Sequence, residues 1–116
     1  MYEFNAFVTP NDSIIVFTSC GREDDIGGCD LYISKKDENG NWSKAKNLGN
    51  KINSTSLDYC PFISFDKKFF VFTSNKSKLQ KSYQKKLNIN TFLNEMGQLQ
   101  NGKGNLYWID AKEILQ

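Results

Sequence analysis

Histidine is absent from this chain, and that absence removes more chemistry than any residue present adds. Without an imidazole there is no Ser-His-Asp or Cys-His pair, no histidine-ligated metal and no side chain that titrates unperturbed near neutrality. Arginine occurs once, as Arg22, so a clustered arginine clamp on a phosphate or carboxylate cannot be assembled within the chain. No apolar run is long enough to span a bilayer, and Met1-Tyr2-Glu3-Phe4 lacks the basic and apolar regions of a signal peptide. A net charge of +2 is too small to imply a polyanionic partner, so nucleic acid is not expected. No cofactor is expected either.

What is present is a repeat. Phe7-Val8-Thr9-Pro10-Asn11-Asp12-Ser13-Ile14-Ile15-Val16-Phe17-Thr18-Ser19 returns about 55 residues later as Phe62-Ile63-Ser64-Phe65-Asp66-Lys67-Lys68-Phe69-Phe70-Val71-Phe72-Thr73-Ser74. Each copy reads as apolar residues, a hydroxyl, a polar turn, a large apolar run and Thr-Ser, which is the pattern of a hairpin with a buried second strand. Gly27-Gly28-Cys29-Asp30-Leu31-Tyr32-Ile33-Ser34 predicts a third strand, and Gly102-Lys103-Gly104-Asn105-Leu106-Tyr107-Trp108-Ile109-Asp110 repeats it. After the turn Asp37-Glu38-Asn39-Gly40-Asn41, the polar stretch Trp42 to Leu48 suits an outer edge strand. Aromatics at 14% favour strands with buried faces. The expectation is an all-β chain of two four-stranded-type antiparallel repeats, one over about 3–49 and one over about 58–111 that lacks its fourth strand.

The second copy holds about 20 more residues between its second and third strands, an insertion over about 76–101. Within it Ile89, Phe92, Leu93 and Met96 fall at i, i+3, i+4 and i+7, bracketed by Asn88 and Gly97, which predicts a short amphipathic helix packed over the strands. Lys76, Lys78, Lys81, Lys85 and Lys86 make the insertion basic. That suits an acidic partner or a solvated loop, and Tyr83 alone is too little for base stacking.

Thr9-Pro10-Asn11-Asp12, Thr18-Ser19, Gly27-Gly28-Cys29-Asp30-Leu31-Tyr32, Gly40-Asn41-Trp42, Asn47-Leu48-Gly49 and Ile52-Asn53-Ser54 together resemble the WD-repeat-like β-propeller repeats of TolB-like bacterial envelope proteins. The resemblance covers nearly the whole chain. The second copy departs from it, with Phe65 in place of the turn proline and Asn105 in place of the strand-leading aspartate. The resemblance implies β-propeller blades, a periplasmic or extracellular location, and a chain that forms the last, C-terminal two-blade part of a larger ring. On that reading the partners are the remaining blades, or other copies meeting an unpaired strand edge along Leu106 to Asp110.

Arg22, Glu23, Asp24 and Asp25 form a charged cluster on a glycine-bearing loop, which reads first as a solvated loop, with a cation or sugar site as the alternative. Asp37-Glu38-Asn39-Gly40 begins like a calcium loop but lacks the glutamate at its twelfth position. Asp30 and Asn105 lead equivalent strands and are expected to hydrogen-bond nearby backbone amides. Trp42 and Trp108 are read as repeat markers buried between blades, with stacking on a sugar or peptide as the alternative. Cys20 and Cys29 flank one loop, so a disulfide between them is geometrically allowed, with Cys60 left over; three free thiols are the other reading. Two functions follow: a non-enzymatic binding or scaffold module that presents loops to a protein, peptidoglycan or glycan, or a propeller domain of a hydrolase acting on carbohydrate or peptide through paired carboxylates or a further domain.

Overall fold

The structure, a computed structural model, describes residues 1–76 and 103–115. The expected helix at Ile89, Phe92, Leu93 and Met96, and the lysines at 78, 81, 85 and 86, lie outside the described residues. The apolar runs form strands where the alternation places them. β1 (Tyr2–Val8), β2 (Ile14–Cys20), β3 (Cys29–Lys35) and β4 (Lys46–Asn47) make one sheet in that order, and β5 (Asp58–Ile63), β6 (Phe69–Ser74) and β7 (Asn105–Asp110) make another. Within each sheet, strands adjacent in sequence pair antiparallel, and among the described residues neither sheet closes on itself. A single helical turn, α1 (Lys112–Leu115), follows β7.

The two sheets repeat each other down to backbone irregularities. Each first strand carries a register shift, between Phe4 and Phe7 in β1 and between Tyr59 and Phe62 in β5. At the shift, Asn5 (φ 50°) and Cys60 (φ 52°) take left-handed backbone angles, as do Asp12 (φ 55°) and Lys67 (φ 58°) in the following turns. Asn and Asp tolerate this region, whereas for Cys and Lys it costs about 1–2 kcal/mol each. That the second copy keeps the conformation with less suitable residues shows that the turn and bulge are imposed by the strands they join. The hydroxyl ahead of each turn closes it. The amide of Ile14 donates to Thr9 Oγ1 (3.1 Å), and the amide of Phe69 donates to Ser64 Oγ (3.0 Å). Phe65, at the first copy's proline position, points into solvent.

The core lies between the sheets. One face of the first sheet supplies Val16, Leu31 and Ile33, with Phe7 and Ile14 beside them; the facing side of the second supplies Ile63, Phe70 and Phe72. Ile52 from the crossover, and Ala111 and Ile114 at α1, complete the cluster. Fully burying aliphatic or aromatic side chains of this size stabilises by about 1.5–3 kcal/mol apiece, so these residues are the main force holding one sheet on the other.

Two sequence expectations need correction. The outer strand is not Trp42 to Leu48 but the two residues Lys46–Asn47, with Trp42 held only by an isolated bridge to Lys36. Lys44 and Lys46 carry charge along this edge, where further pairing would bury it. Trp42 and Trp108 are not buried: they are 42% and 66% exposed. Trp42 instead lies under the Lys36 ammonium (4.9 Å), and Trp108 meets Phe69 edge-on (5.2 Å between centroids). At Asn105 the side-chain amide donates to the Lys103 carbonyl (3.1 Å), and positions 101 and 102, equivalent to those whose amides Asp30 accepts from, lie outside the described residues.

Candidate functional site

The loop between β2 and β3, residues 21–28, is anchored from below and from both ends by polar groups and a disulfide. Cys20 and Cys29 are directly opposed in the β2–β3 register and are disulfide-bonded. Cys60 is a free, exposed thiol. Just inside the disulfide, Asp25 Oδ2 accepts from the amides of Gly21 (2.7 Å) and Arg22 (2.9 Å). Asp30, fully buried, accepts from the amides of Ile26 and Gly27, as the strand-leading position predicts.

Tyr32, wholly buried in the strand beneath, reaches up to the loop. Its hydroxyl lies 2.6 Å from Asp25 Oδ1 and 2.9 Å from Asp24 Oδ1. One phenolic proton thus serves two carboxylates, the shorter contact going to Asp25. Burial raises the Tyr32 pKa strongly, and the hydrogen bond to Asp25 raises it further, so the phenol stays protonated and donating throughout the physiological range. The Arg22 guanidinium lies over the rings of Tyr32 (4.8 Å) and Phe17 (5.6 Å), and donates to Ser19 Oγ (2.8 Å) and to the Glu3 carboxylate.

The four residues of the charged cluster singled out in the sequence divide by where their side chains are held. Arg22 and Asp25 hold the loop to the sheet, while Glu23 and Asp24 are exposed. Asp24 and Glu23 line a groove of about 490 Å³ with Met1, Gly21, Arg22, Lys44 and Ala45, and Asp25 is not among its lining residues. Of the two carboxylates that share the Tyr32 hydroxyl, Asp24 lines the groove and Asp25 does not. Among the described residues no group of three or more Cys, Asp or Glu is placed to hold a metal ion. No helix among them is long and apolar enough to cross a membrane.

A second polar system ties this loop to the following sheet. Asn53 lies in the crossover, and its side-chain amide pairs with the β3 backbone as another strand would: Leu31 N–H donates to Oδ1 (2.7 Å) and Nδ2 donates to the Leu31 carbonyl (3.0 Å). Asn53 Nδ2 also reaches Asn47 Oδ1 (2.9 Å), and Asn47 Nδ2 donates to Asp30 Oδ2 (2.9 Å) and to the Asp24 carbonyl (3.1 Å). Beyond the crossover Asp58, fully buried, accepts from Ser74 Oγ (2.6 Å) and from the Ser54 amide (2.7 Å) and hydroxyl. Burial pushes the Asp58 carboxyl above the ordinary range, against the pull of those hydrogen bonds. Sequence reasoning missed Tyr32, Asn47, Asn53 and Asp58. The signal available for Asp58 was its place 55 residues after Glu3, the partner of Arg22.

Gly27 fits where these systems meet. A Cβ there would lie 2.5 Å from the Ser54 carbonyl oxygen, 2.6 Å from that of Ser56 and 2.8 Å from the Thr55 carbonyl carbon, so loop and crossover touch backbone to backbone. At Gly28 a Cβ would meet nothing within 4 Å. Comparison of this chain with protein-family models, curated proteins and solved structures finds no match.

Proposed function

We propose that the chain is a pair of consecutive β-propeller blades of the WD-repeat-like, TolB-like kind, and that it works without catalysis as a binding and scaffold module in a bacterial envelope protein. Loop 21–28 is the part it presents to a protein, peptidoglycan or glycan partner. The observation that carries this reading is the division of labour within the loop. Asp25, Asp30, Tyr32, Arg22 and the disulfide fix its backbone. Glu23, Asp24 and Ile26 are left facing solvent on a frame that loses little entropy when a partner binds. The stacked antiparallel sheets with matching bulges support the blade assignment. The disulfide supports an oxidising compartment, hence a periplasmic or extracellular place of work.

The test is a titration of the isotope-labelled chain with soluble muropeptides and with glycan oligomers, read by amide shifts. Shifts centred on Glu23, Asp24, Ile26 and Gly28, weakened tenfold or more in a Glu23→Lys, Ile26→Ser variant, are the expected result. Saturable shifts that leave this loop untouched would overturn the assignment.

A further inference from the structure

The chain already contains one sheet-on-sheet interface, and its two ends carry the two halves of another. Phe62, Phe69, Val71, Leu106 and Trp108 stand in the second sheet where Phe7, Ile14, Val16, Leu31 and Ile33 stand in the first. The strand registers agree, with Val16 opposite Ile33 and Val71 opposite Trp108. In the first sheet this face is covered by the second: Val16 and Leu31 have no exposure and Ile33 has 5%. In the second sheet the same face is open, with Leu106 76%, Trp108 66%, Phe69 43% and Phe62 41% exposed. A solvated strand face ordinarily carries polar residues. Here all five positions are apolar, and Phe69, Val71, Leu106, Tyr107 and Trp108 line one shallow groove.

The surface that covers this face once is also duplicated. The second sheet meets the first with Ile63, Phe70, Phe72 and Tyr107; the equivalent positions on the far side of the first sheet hold Val8, Ile15, Phe17 and Tyr32. The ring pairs match in geometry, Phe72 with Tyr107 at 5.9 Å and 25°, Phe17 with Tyr32 at 6.1 Å and 23°. Arg22 over Tyr32 does not block that side, because Lys76 sits over the Tyr107 ring in the same way (3.9 Å) in the sheet that is already stacked. Phe17 (9% exposed) and Tyr32 are already covered on that side, with Arg22 over both rings, so its open part is Val8, 43% exposed, and the half-buried Ile15, along a groove of about 190 Å³ that Glu3, Phe4, Ala6, Ile15 and Phe17 line.

We infer that the outer face of the second sheet docks a second copy of this chain, head to tail, on that copy's Val8–Ile15–Phe17 face, by the operation that stacks the two sheets within one chain. Such contacts are heterologous and continue until a ring closes. The inference rests on the blade reading but on no loop ligand.

The test uses the full chain, by sedimentation across a hundredfold concentration range, with Trp108→Lys blocking one face and Val8→Glu the other. Both sites are surface positions, and unchanged thermal unfolding of each variant checks that it folds; Leu106→Ser replaces Trp108→Lys if it does not. The expected result is that the unaltered chain associates beyond its 13.3 kDa monomer, that each variant alone is monomeric, and that an equimolar mixture forms a one-to-one dimer, since one intact face of each kind remains. A monomer at every concentration overturns the inference. So does a Val8→Glu variant that still dimerises, because that would mean like faces pair. Loop titrations run on the monomeric variants keep the two proposals separate.

Discussion

Replacing Gly27 by alanine tests the contact that joins the loop to the crossover. The added methyl would enter between the carbonyl oxygens of Ser54 and Ser56, at 2.5 and 2.6 Å, where ordinary contact needs about a further ångström. The obstructing atoms are backbone, so no side chain can swing aside. Either Gly27 withdraws from Asp30, giving up the hydrogen bond from its amide (3.2 Å), or the crossover shifts and disturbs the bonds Ser54 makes to Asp58. Overpacking of this kind costs about 1–3 kcal/mol. In a chain of this size that corresponds to a fall in unfolding temperature of roughly 4 to 20 °C. Gly28→Ala is the control, because its Cβ meets nothing within 4 Å and its effect should stay within about 0.5 kcal/mol. Urea denaturation read by circular dichroism compares the two. Equal midpoints for Gly27→Ala and Gly28→Ala would refute the backbone contact.

Reduction of the Cys20–Cys29 bond, which spans 9 residues of sequence, should lower stability by about 2–3 kcal/mol, and an unreduced sample should titrate as one free thiol; denaturation midpoints indifferent to reductant would count against this. Asn53→Ala strands the buried N–H of Leu31, whose carbonyl keeps the Leu48 amide (3.1 Å), and should cost about 1–3 kcal/mol, whereas a loss below about 0.5 kcal/mol, on the order of a surface change, would show that the pairing contributes nothing. Because burial raises the Asp58 carboxyl above its ordinary 3.8, its protonated form favours the folded chain. That contribution is complete below the unfolded value and is lost as pH rises through the folded one. Unfolding midpoints should fall over that window, and Asp58→Asn should flatten the fall; an unchanged slope in the variant would disprove the assignment.

The strands were legible because strand periodicity and turn chemistry are local properties. The alternation around Ile14 to Ser19 and Phe69 to Ser74, and the hydroxyl ahead of each turn, located the hairpins directly. Asp30 was legible for the same reason, since its partners lie three and four residues away. Where the reading failed, the deciding facts were non-local. Whether Trp108 is buried depends on which sheet face is covered, and the pattern of Leu106 and Trp108 is that of a covered face. Asn53 is invisible as a strand mimic because its partner, Leu31, is 22 residues away. Which carboxylate of the loop cluster is held and which is exposed was not legible, because charge proximity in sequence does not say so and the buried Tyr32 hydroxyl that meets Asp24 and Asp25 gives no sign of its role.

The account depends most on the second sheet lying on the first as the next copy of one repeat. Nuclear Overhauser contacts between aromatic rings measure this directly. Phe7 and Phe62, one from each sheet, lie 4.9 Å apart in an edge-on arrangement. The account predicts a strong cross-peak between these two rings, accompanied by contacts from the Asn53 side-chain amide to the Leu31 amide. Two sheets that each give their own strand pairings, but no cross-peak between Phe7 and Phe62 and none from Asn53 to Leu31, would contradict it.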